Sequence, residues 1–378
     1  MNRIPTTHVG SLPRPAPLLE LMREKVAGEE IDAKLLDREL GGAVTDVVAR
    51  QVDAGIDFVS DGEMSKPSYA TYVAERLTGF AGSFKGCAAG DLLDYRDFAR
   101  HLVSIGAVVP DAGGACCRGP VEPRDSNALD RDLERFRAAV DLAKPAGGFV
   151  NAASPGVVTV FQKNEFYRND DDYIAAVAEA LRPEYEAIVE AGFVLQIDSP
   201  DLAMGRHLAY AELDERAFLK IAARNVDALN AAVRDIPADR MRMHLCWGNY
   251  PGPHHRDIAL SKIVATVLRA KPRYLLLESA NPRHEHEWRV FADVELPDDK
   301  ILIPGVIDST SNYIEHPEVV AQRLCRYADV VGRDRVIAGS DCGFSTFSGY
   351  PTVYPDIVWA KLQSLVAGAQ IASELLWS

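Results

Sequence analysis

Basic charge is what this sequence is short of. Its 378 residues carry 41 Lys and Arg against 55 Asp and Glu, a net charge of −14. Nucleic acid and anionic membrane surfaces are polyanions, so this balance excludes both as partners. Long apolar runs are missing too: no stretch of about 18 apolar residues is present to form a membrane-spanning helix. Six cysteines in the whole chain do not make a secreted disulfide framework. No basic, apolar and small-residue leader opens the sequence. The expectation is a cytoplasmic protein with reduced thiols. Low-complexity tracts and short repeats are also lacking.

A large core and a regular rhythm are what the chain does have. Apolar residues make up 47%, which suits two or three average domains or one large barrel. Short apolar runs at 4–10, 57–63, 147–154, 193–200, 241–248, 274–280, 301–308 and 335–343 read as eight strands. Amphipathic helices alternate with them, such as those within 32–55, 171–192 and 316–332. Eight βα units predict an α/β fold, a (β/α)8 TIM-type barrel spanning residues 1–378 as a single domain. The stretch 64–127 breaks the rhythm. It reads as an insertion after the second strand, with "SIGAVVP" and "ACCRGPV" forming a short hairpin near the barrel mouth. An open doubly wound sheet is the alternative, but it leaves the polar residues at so many strand tips unexplained.

Those strand tips carry the chemistry. In "RMHLCWG", His244 and Cys246 are two apart, so on a strand they share a face. "RYLLLESA" ends in Glu278 and "RVIAGSDCG" delivers Cys342. One imidazole, two thiolates and one carboxylate are a zinc donor set. Its formal site charge of about −1 makes zinc a poor source of hydroxide and a good binder of an incoming thiol. The predicted chemistry is alkyl transfer to a small thiol. A cysteine in an apolar strand is usually a buried small side chain, and Cys87, Cys116, Cys117 and Cys325 take that reading. The agreement of three strand tips sets the zinc residues apart. Asp341, next to Cys342, is placed to orient a ligand.

"TTHVGSLPRP" at 6–15, "SDGE" at 60–63, "QIDSP" at 196–200, "HLC" at 244–246, "LLLES" at 275–279 and "SDCG" at 340–343 together resemble the catalytic barrel of cobalamin-independent methionine synthases. The likeness runs from about residue 4 to 350. It points to the single-barrel branch, which includes epoxyalkane:coenzyme M transferases. The resemblance implies His244, Cys246, Glu278 and Cys342 as zinc ligands. It also implies the backbone of Val9 and Gly10 and the hydroxyl of Ser11 near a substrate carboxylate. Glu63 and Asp198 match the acids that grip the homocysteine ammonium; a buried amino group needs such carboxylates.

The chain departs from the family at "GVIDSTSN" (305–312). Ser309 and Thr310 stand where the synthases carry a histidine that serves the folate leaving group. Asp308 remains. His316 lies at a helix start in "YIEHPE" and reads as a cap. Phe161, Tyr167 and Trp247 are candidates for stacking on a pterin, and Trp247 is the substrate-binding choice. The loop "CWGNYPGPHHRD" (246–257) is rigid by its prolines and glycines and offers His254 and His255. Asp308 and His255 are the candidate catalytic residues.

Three functions follow. The first is methyl transfer to a zinc-bound thiol, with homocysteine as acceptor and a methylfolate or another small methyl carrier as donor. The second is opening of an epoxide by coenzyme M, whose sulfonate would need a basic grip from Arg14, Lys66 or Arg118. The third is a non-catalytic zinc or small-molecule-binding barrel. Small thiol and alkyl donor are the expected partners, and the oligomeric state is open.

Overall fold

The computed structural model describes residues 2–86, 88–108 and 114–378. Cys87 and the end of the "SIGAVVP" segment therefore lie outside the described residues.

Among the described residues nine strands form: β1 (Phe58–Val59), β2 (Phe80–Ala81), β3 (Cys116–Cys117), β4 (Gly147–Ala153), β5 (Val194–Asp198), β6 (Met241–Leu245), β7 (Tyr274–Leu277), β8 (Ile301–Ile307) and β9 (Gly339–Ser340). Seven make one parallel sheet in the order β1-β4-β5-β6-β7-β8-β9. The N-terminal segment closes it. Thr7 N–H donates to the Ala338 carbonyl at 2.9 Å on one side, and Phe58 N–H donates to the Thr6 carbonyl at 3.1 Å on the other. Thr6 bridges Ala338 in parallel. The eight expected staves of a TIM-type barrel are all there, and the first is an extended segment held by a single bridge. Helices pack around the outside, among them Ala33–Asp53, Asp170–Glu190 and Pro317–Val331. Each starts on a capping side chain that accepts backbone N–H bonds: Asp32, Asn169 and His316. No helix among the described residues is long and apolar enough to cross a membrane.

Strand alternation explains what the barrel interior holds. Gln196 and Asp198 of β5 pair in register with Arg242 and His244 of β6, and residues two apart share the inner face. Arg242 lies 3.6 Å over the Phe149 ring and donates to Gln196 Oε1 at 2.6 Å and Thr7 Oγ1 at 2.9 Å. Gln196 in turn donates to Asp198 Oδ1 at 2.7 Å. A buried polar ladder thus runs up the inside and fixes Asp198 below the barrel mouth. Each of its members is paired, as burial demands.

Between β1 and β4, the described part of residues 64–127 adds three short helices, Val73–Arg76, Gly90–Asp94 and Arg96–Ser104. The hairpin differs from the expected one. Cys116–Cys117 pairs antiparallel with Phe80–Ala81, while the start of "SIGAVVP" ends the Arg96–Ser104 helix. That helix is strongly two-sided, with Leu102 buried and charged residues opposite, so its apolar face competed successfully against a strand.

Gly10 is needed where it stands. Its φ is +149°, and a Cβ there would collide with the Asn151 amide. Asn151 itself donates to the Val9 carbonyl at 3.0 Å and to Asp198 Oδ2 at 3.1 Å. Gly10→Ala should destabilise the barrel by about 1–3 kcal/mol, measured as a lowered midpoint in urea unfolding.

Candidate metal centre and its cavity

β6 and β9 end beside each other's loops at the C-terminal face of the barrel. His244 is the last residue but one of β6, Cys246 follows just past its end, and Cys342 lies two residues after Ser340. The ligand atoms of His244, Cys246 and Cys342 lie within 4.8 Å of one another, and all three residues are buried. A tetrahedral zinc with bonds of about 2.0–2.3 Å needs donor separations of about 3.3–3.8 Å, so one ion fits among them. The Cys246 and Cys342 thiols hydrogen-bond to each other. That bond pulls the Cys246 thiol below its ordinary range, helped by the His244 charge and opposed by burial. The same bond, together with burial, pushes the Cys342 thiol up. Burial lowers the His244 pKa, but Asp198 and Cys246 together carry it up to about 9. The cluster therefore favours positive charge at its centre. This is how a soft cation site behaves.

Glu278, the fourth ligand expected from the sequence, acts on both thiols by its charge. It is buried but stands outside the three-residue group. Trp247 N–H donates to its Oε1, and Asn281 Nδ2 and Arg283 Nη2 donate to its Oε2, each at 2.7 Å. These bonds hold the carboxylate beside the group, as hydrogen bonds to a metal-ligating carboxylate do. Asp341 acts on the same loop. Its Oδ1 accepts from the N–H groups of Ser279 and Ala280 at 2.7 and 2.8 Å, and its Oδ2 from Asn281 N–H at 2.9 Å and Asn281 Nδ2 at 2.8 Å. Asp341→Asn would turn an amide NH2 toward N–H donors. Metal affinity should fall roughly 10–100-fold, as read by competition with a chromogenic chelator.

The cluster opens into a cavity of about 360 Å3 whose wall includes Val9, Ser11, Glu63, Asp198, His244, Cys246 and Cys342. Glu63 and Asp198 feel each other's charge there. Glu63 is buried with φ +56°, and its Oε2 has no hydrogen-bond partner. Burial pushes its carboxyl up to about 7, Asp198 adds to the shift, and Lys66 and Arg14 oppose it. A strained backbone and an unpartnered buried oxygen mark a group held ready for a ligand. The outer wall is mostly apolar, with Leu92, Leu93 and Val103 from the added helices and Tyr69, Phe161 and Phe347 below, and Arg96 and Arg100 also line it.

Other expected residues lie elsewhere. Gly10 packs on Asn151 and does not line the cavity. The Trp247 side chain is buried in the core, stacked 3.9 Å from the His284 ring, and its Nε1 donates to the Ile258 carbonyl at 2.6 Å. It therefore contacts no substrate from the cavity side. Tyr167 is spent on Val121 N–H. Asp308 is not in the wall; its Oδ1 accepts from Thr310 N–H and Oγ1 at 2.9 and 2.8 Å. His255 is at the surface, 42% exposed, with Nε2 2.8 Å from Asp94 Oδ2. The left-handed backbone of His254, at φ +54°, turns that residue inward and His255 outward. Ser309 donates to Asn249 Oδ1 at 2.9 Å, and His316 caps its helix as expected.

Three basic residues named for a sulfonate are committed to other partners. Arg14 donates to the carbonyls of Ser345, Glu63 and Lys66. Lys66 donates to the Asn151 carbonyl. Arg118 pairs with Glu165 outside the cavity. Conversely, His207 and Tyr69 line the cavity and had no distinguishing signal in the sequence. His207 sits in "GRHLAY", a segment of short 3-10 turns with no strand tip to point to it.

The comparisons with known proteins agree with this geometry. The family model for the catalytic domain of cobalamin-independent synthase matches residues 4–89 and 130–364, spans that hold every residue of the cluster and the Glu63–Asp198 pair. A methionine synthase of Saccharolobus solfataricus is 26% identical over 378 residues, covering 99% of this chain and 96% of its own length. One from Sulfolobus acidocaldarius is 25% identical over 376 residues, covering 99% and 93%. Among solved structures, the B12-independent methionine synthase of a Shewanella species, in complex with selenomethionine, shares the fold with a TM-score of 0.76 at 20% identity, covering 99% of both chains. With the family model spanning most of the sequence and the strand tips delivering its motifs to one cavity, the chain belongs to the family of cobalamin-independent synthase catalytic domains.

Proposed function

We propose that this cavity transfers a methyl group from a small carrier, such as a methylfolate, to the sulfur of an amino-acid thiol of the homocysteine type. His244, Cys246 and Cys342 would hold a zinc ion. Bound there, the ion supplies acidity to a substrate thiol and keeps the sulfur nucleophilic, as sulfur-rich zinc does. Three protein ligands leave a coordination position for the substrate, which a closed four-ligand site would not.

One observation carries the reading. The thiolate cluster and the acidic pair Glu63–Asp198 face the same cavity, and Glu63 Oε2 has no partner. A thiol that also bears an ammonium fits both ends. The acids bind and orient the amine. The apolar wall excludes water from the transferring methyl group and offers flat surface to the carrier. Asp198 also lies 3.6 Å from His244 Nδ1 and so links amine binding to the orientation of a metal ligand. Arg14, Lys66 and Arg118 are engaged elsewhere, so a sulfonate thiol would have to use Arg96 or Arg100 at the outer wall, whereas an ammonium thiol meets the acids beside the thiolate cluster.

The test is a panel. Zinc-loaded protein is offered homocysteine or coenzyme M, with methylfolate or short epoxides as donors. The proposal expects methionine from homocysteine and a methyl donor. Turnover of coenzyme M with epoxides alone would overturn it, and so would a failure of every thiol to react.

A further inference from the structure

A second cluster sits at the same end of the barrel, built by the loops after β5, β6 and β7. We propose that His207, His254 and Asp257 form a separate binding site for a divalent transition-metal ion. The ligand atoms of these residues lie within 4.8 Å of one another. His207 Nδ1 is 3.2 Å from Asp257 Oδ1, and His254 Nδ1 is 3.0 Å from Asp257 Oδ2. Donors on a tetrahedral ion with bonds of about 2.0 Å are about 3.3 Å apart, so the spacing is that of a metal shell.

Proton bookkeeping strengthens the case. The Tyr250 hydroxyl donates its one hydrogen to Asp91 Oδ1 at 2.7 Å. Toward His207 Nε2, 3.4 Å away, it can only accept. His207 therefore carries a proton on Nε2, and its Nδ1 faces Asp257. That atom is buried without any hydrogen-bond partner, although a carboxylate oxygen is 3.2 Å away. His254 has acceptors on both sides. Its Nε2 is 3.1 Å from the Tyr250 carbonyl, and its Nδ1 is 3.0 Å from Asp257 Oδ2. A carboxylate facing two imidazole nitrogens at this range needs positive charge between them, either a proton on each nitrogen or one metal ion in the protons' place. A ligating histidine characteristically gives its other N–H to a carbonyl or similar acceptor, and both of these do.

The surroundings are finished to match. His284 lies with Nε2 3.0 Å from Asp257 Oδ2 and Nδ1 2.8 Å from Glu287 Oε2. It bridges two carboxylates and holds Asp257 in place from behind. Arg283 adds positive charge nearby and Asp91 negative charge. Asp91 Oδ2 also accepts the His254 N–H at 2.8 Å. The His254 backbone is left-handed, a conformation that a β-substituted residue adopts at some cost. Here it aims the ring into the cluster. The donor set of two imidazoles and a carboxylate suits zinc, iron, cobalt or manganese rather than calcium. This site shares no residue with the thiolate cluster.

The experiment is metal counting on the full chain. Protein stripped by chelator is dialysed against Zn2+ or Co2+ and the bound metal is measured. The wild type should hold two equivalents. The Cys246→Ser/Cys342→Ser variant should keep one, and with Co2+ that remaining ion should show a visible d–d band without a thiolate charge-transfer band. Adding His207→Ala and His254→Ala, or Asp257→Asn alone as a milder change, should remove it. A wild type that binds only one equivalent, lost with the cysteines, overturns the proposal. So does a second equivalent that survives all the histidine and Asp257 changes in folded protein. Neither result touches the thiolate site, whose own failure would show as two equivalents persisting in the cysteine variant.

Discussion

Cys246→Ser together with Cys342→Ser should cost the protein its sulfur-bound metal and about 10³-fold or more of its methyl transfer. Lewis-acid assistance of this kind is worth several kcal/mol, and each 1.4 kcal/mol or so is a factor of ten in rate. The fold should survive. The ring of strands and the polar ladder from Arg242 to Asp198 are complete without the thiols, and the core around them is large. Circular dichroism and the urea midpoint should change little while activity and thiolate-linked metal disappear. Retention of activity at even a tenth of the wild-type rate would place the chemistry elsewhere.

The second large effect concerns recognition. Glu63→Gln keeps the side chain's shape and removes its charge. Truncating one member of a buried charge pair costs about 2–5 kcal/mol, so KM for homocysteine should rise roughly 10²-fold. An analogue lacking the amino group should show no such rise, because it never used the carboxylate. A pH effect follows from the same residue. Burial and Asp198 push the Glu63 carboxyl up to about 7 against Lys66 and Arg14. The grip on an ammonium needs the ionised form, so KM should fall as pH rises through about 7 and then level off. In Glu63→Gln that step should vanish. A KM equally high for both thiols in the variant would mean Glu63 only holds the loop in place.

Much of this was legible from strand periodicity. Residues two apart on a strand face the same way, so His244 with Cys246 needed no structure to be seen as a pair. The "SDCG" tip added Cys342 by the same logic. Glu278 was legible as a buried strand-tip acid. What the sequence did not carry was that Trp247 N–H, Asn281 and Arg283 would occupy its oxygens. Those partners come from loop conformation, which has no simple period. The choice between His254 and His255 failed for a related reason. Adjacent loop residues are told apart only by backbone angles, and one left-handed residue reverses which ring goes in. Trp247 was misplaced because an aromatic beside a ligand is as readily a packing residue as a substrate contact. His207 comes from a stretch of turns remote in sequence and reaches the cavity only through the barrel's closure.

Cobalt(II) offers the most direct measurement of the central claim. Thiolate-to-cobalt charge transfer reports sulfur ligands alone, so it sees the His244–Cys246–Cys342 centre and is silent on a nitrogen and oxygen site. Adding homocysteine to the cobalt-loaded protein should raise that band by about half, as a third sulfur joins two, while homoserine should leave it unchanged. A band that does not respond to homocysteine would show that no substrate thiol reaches the metal.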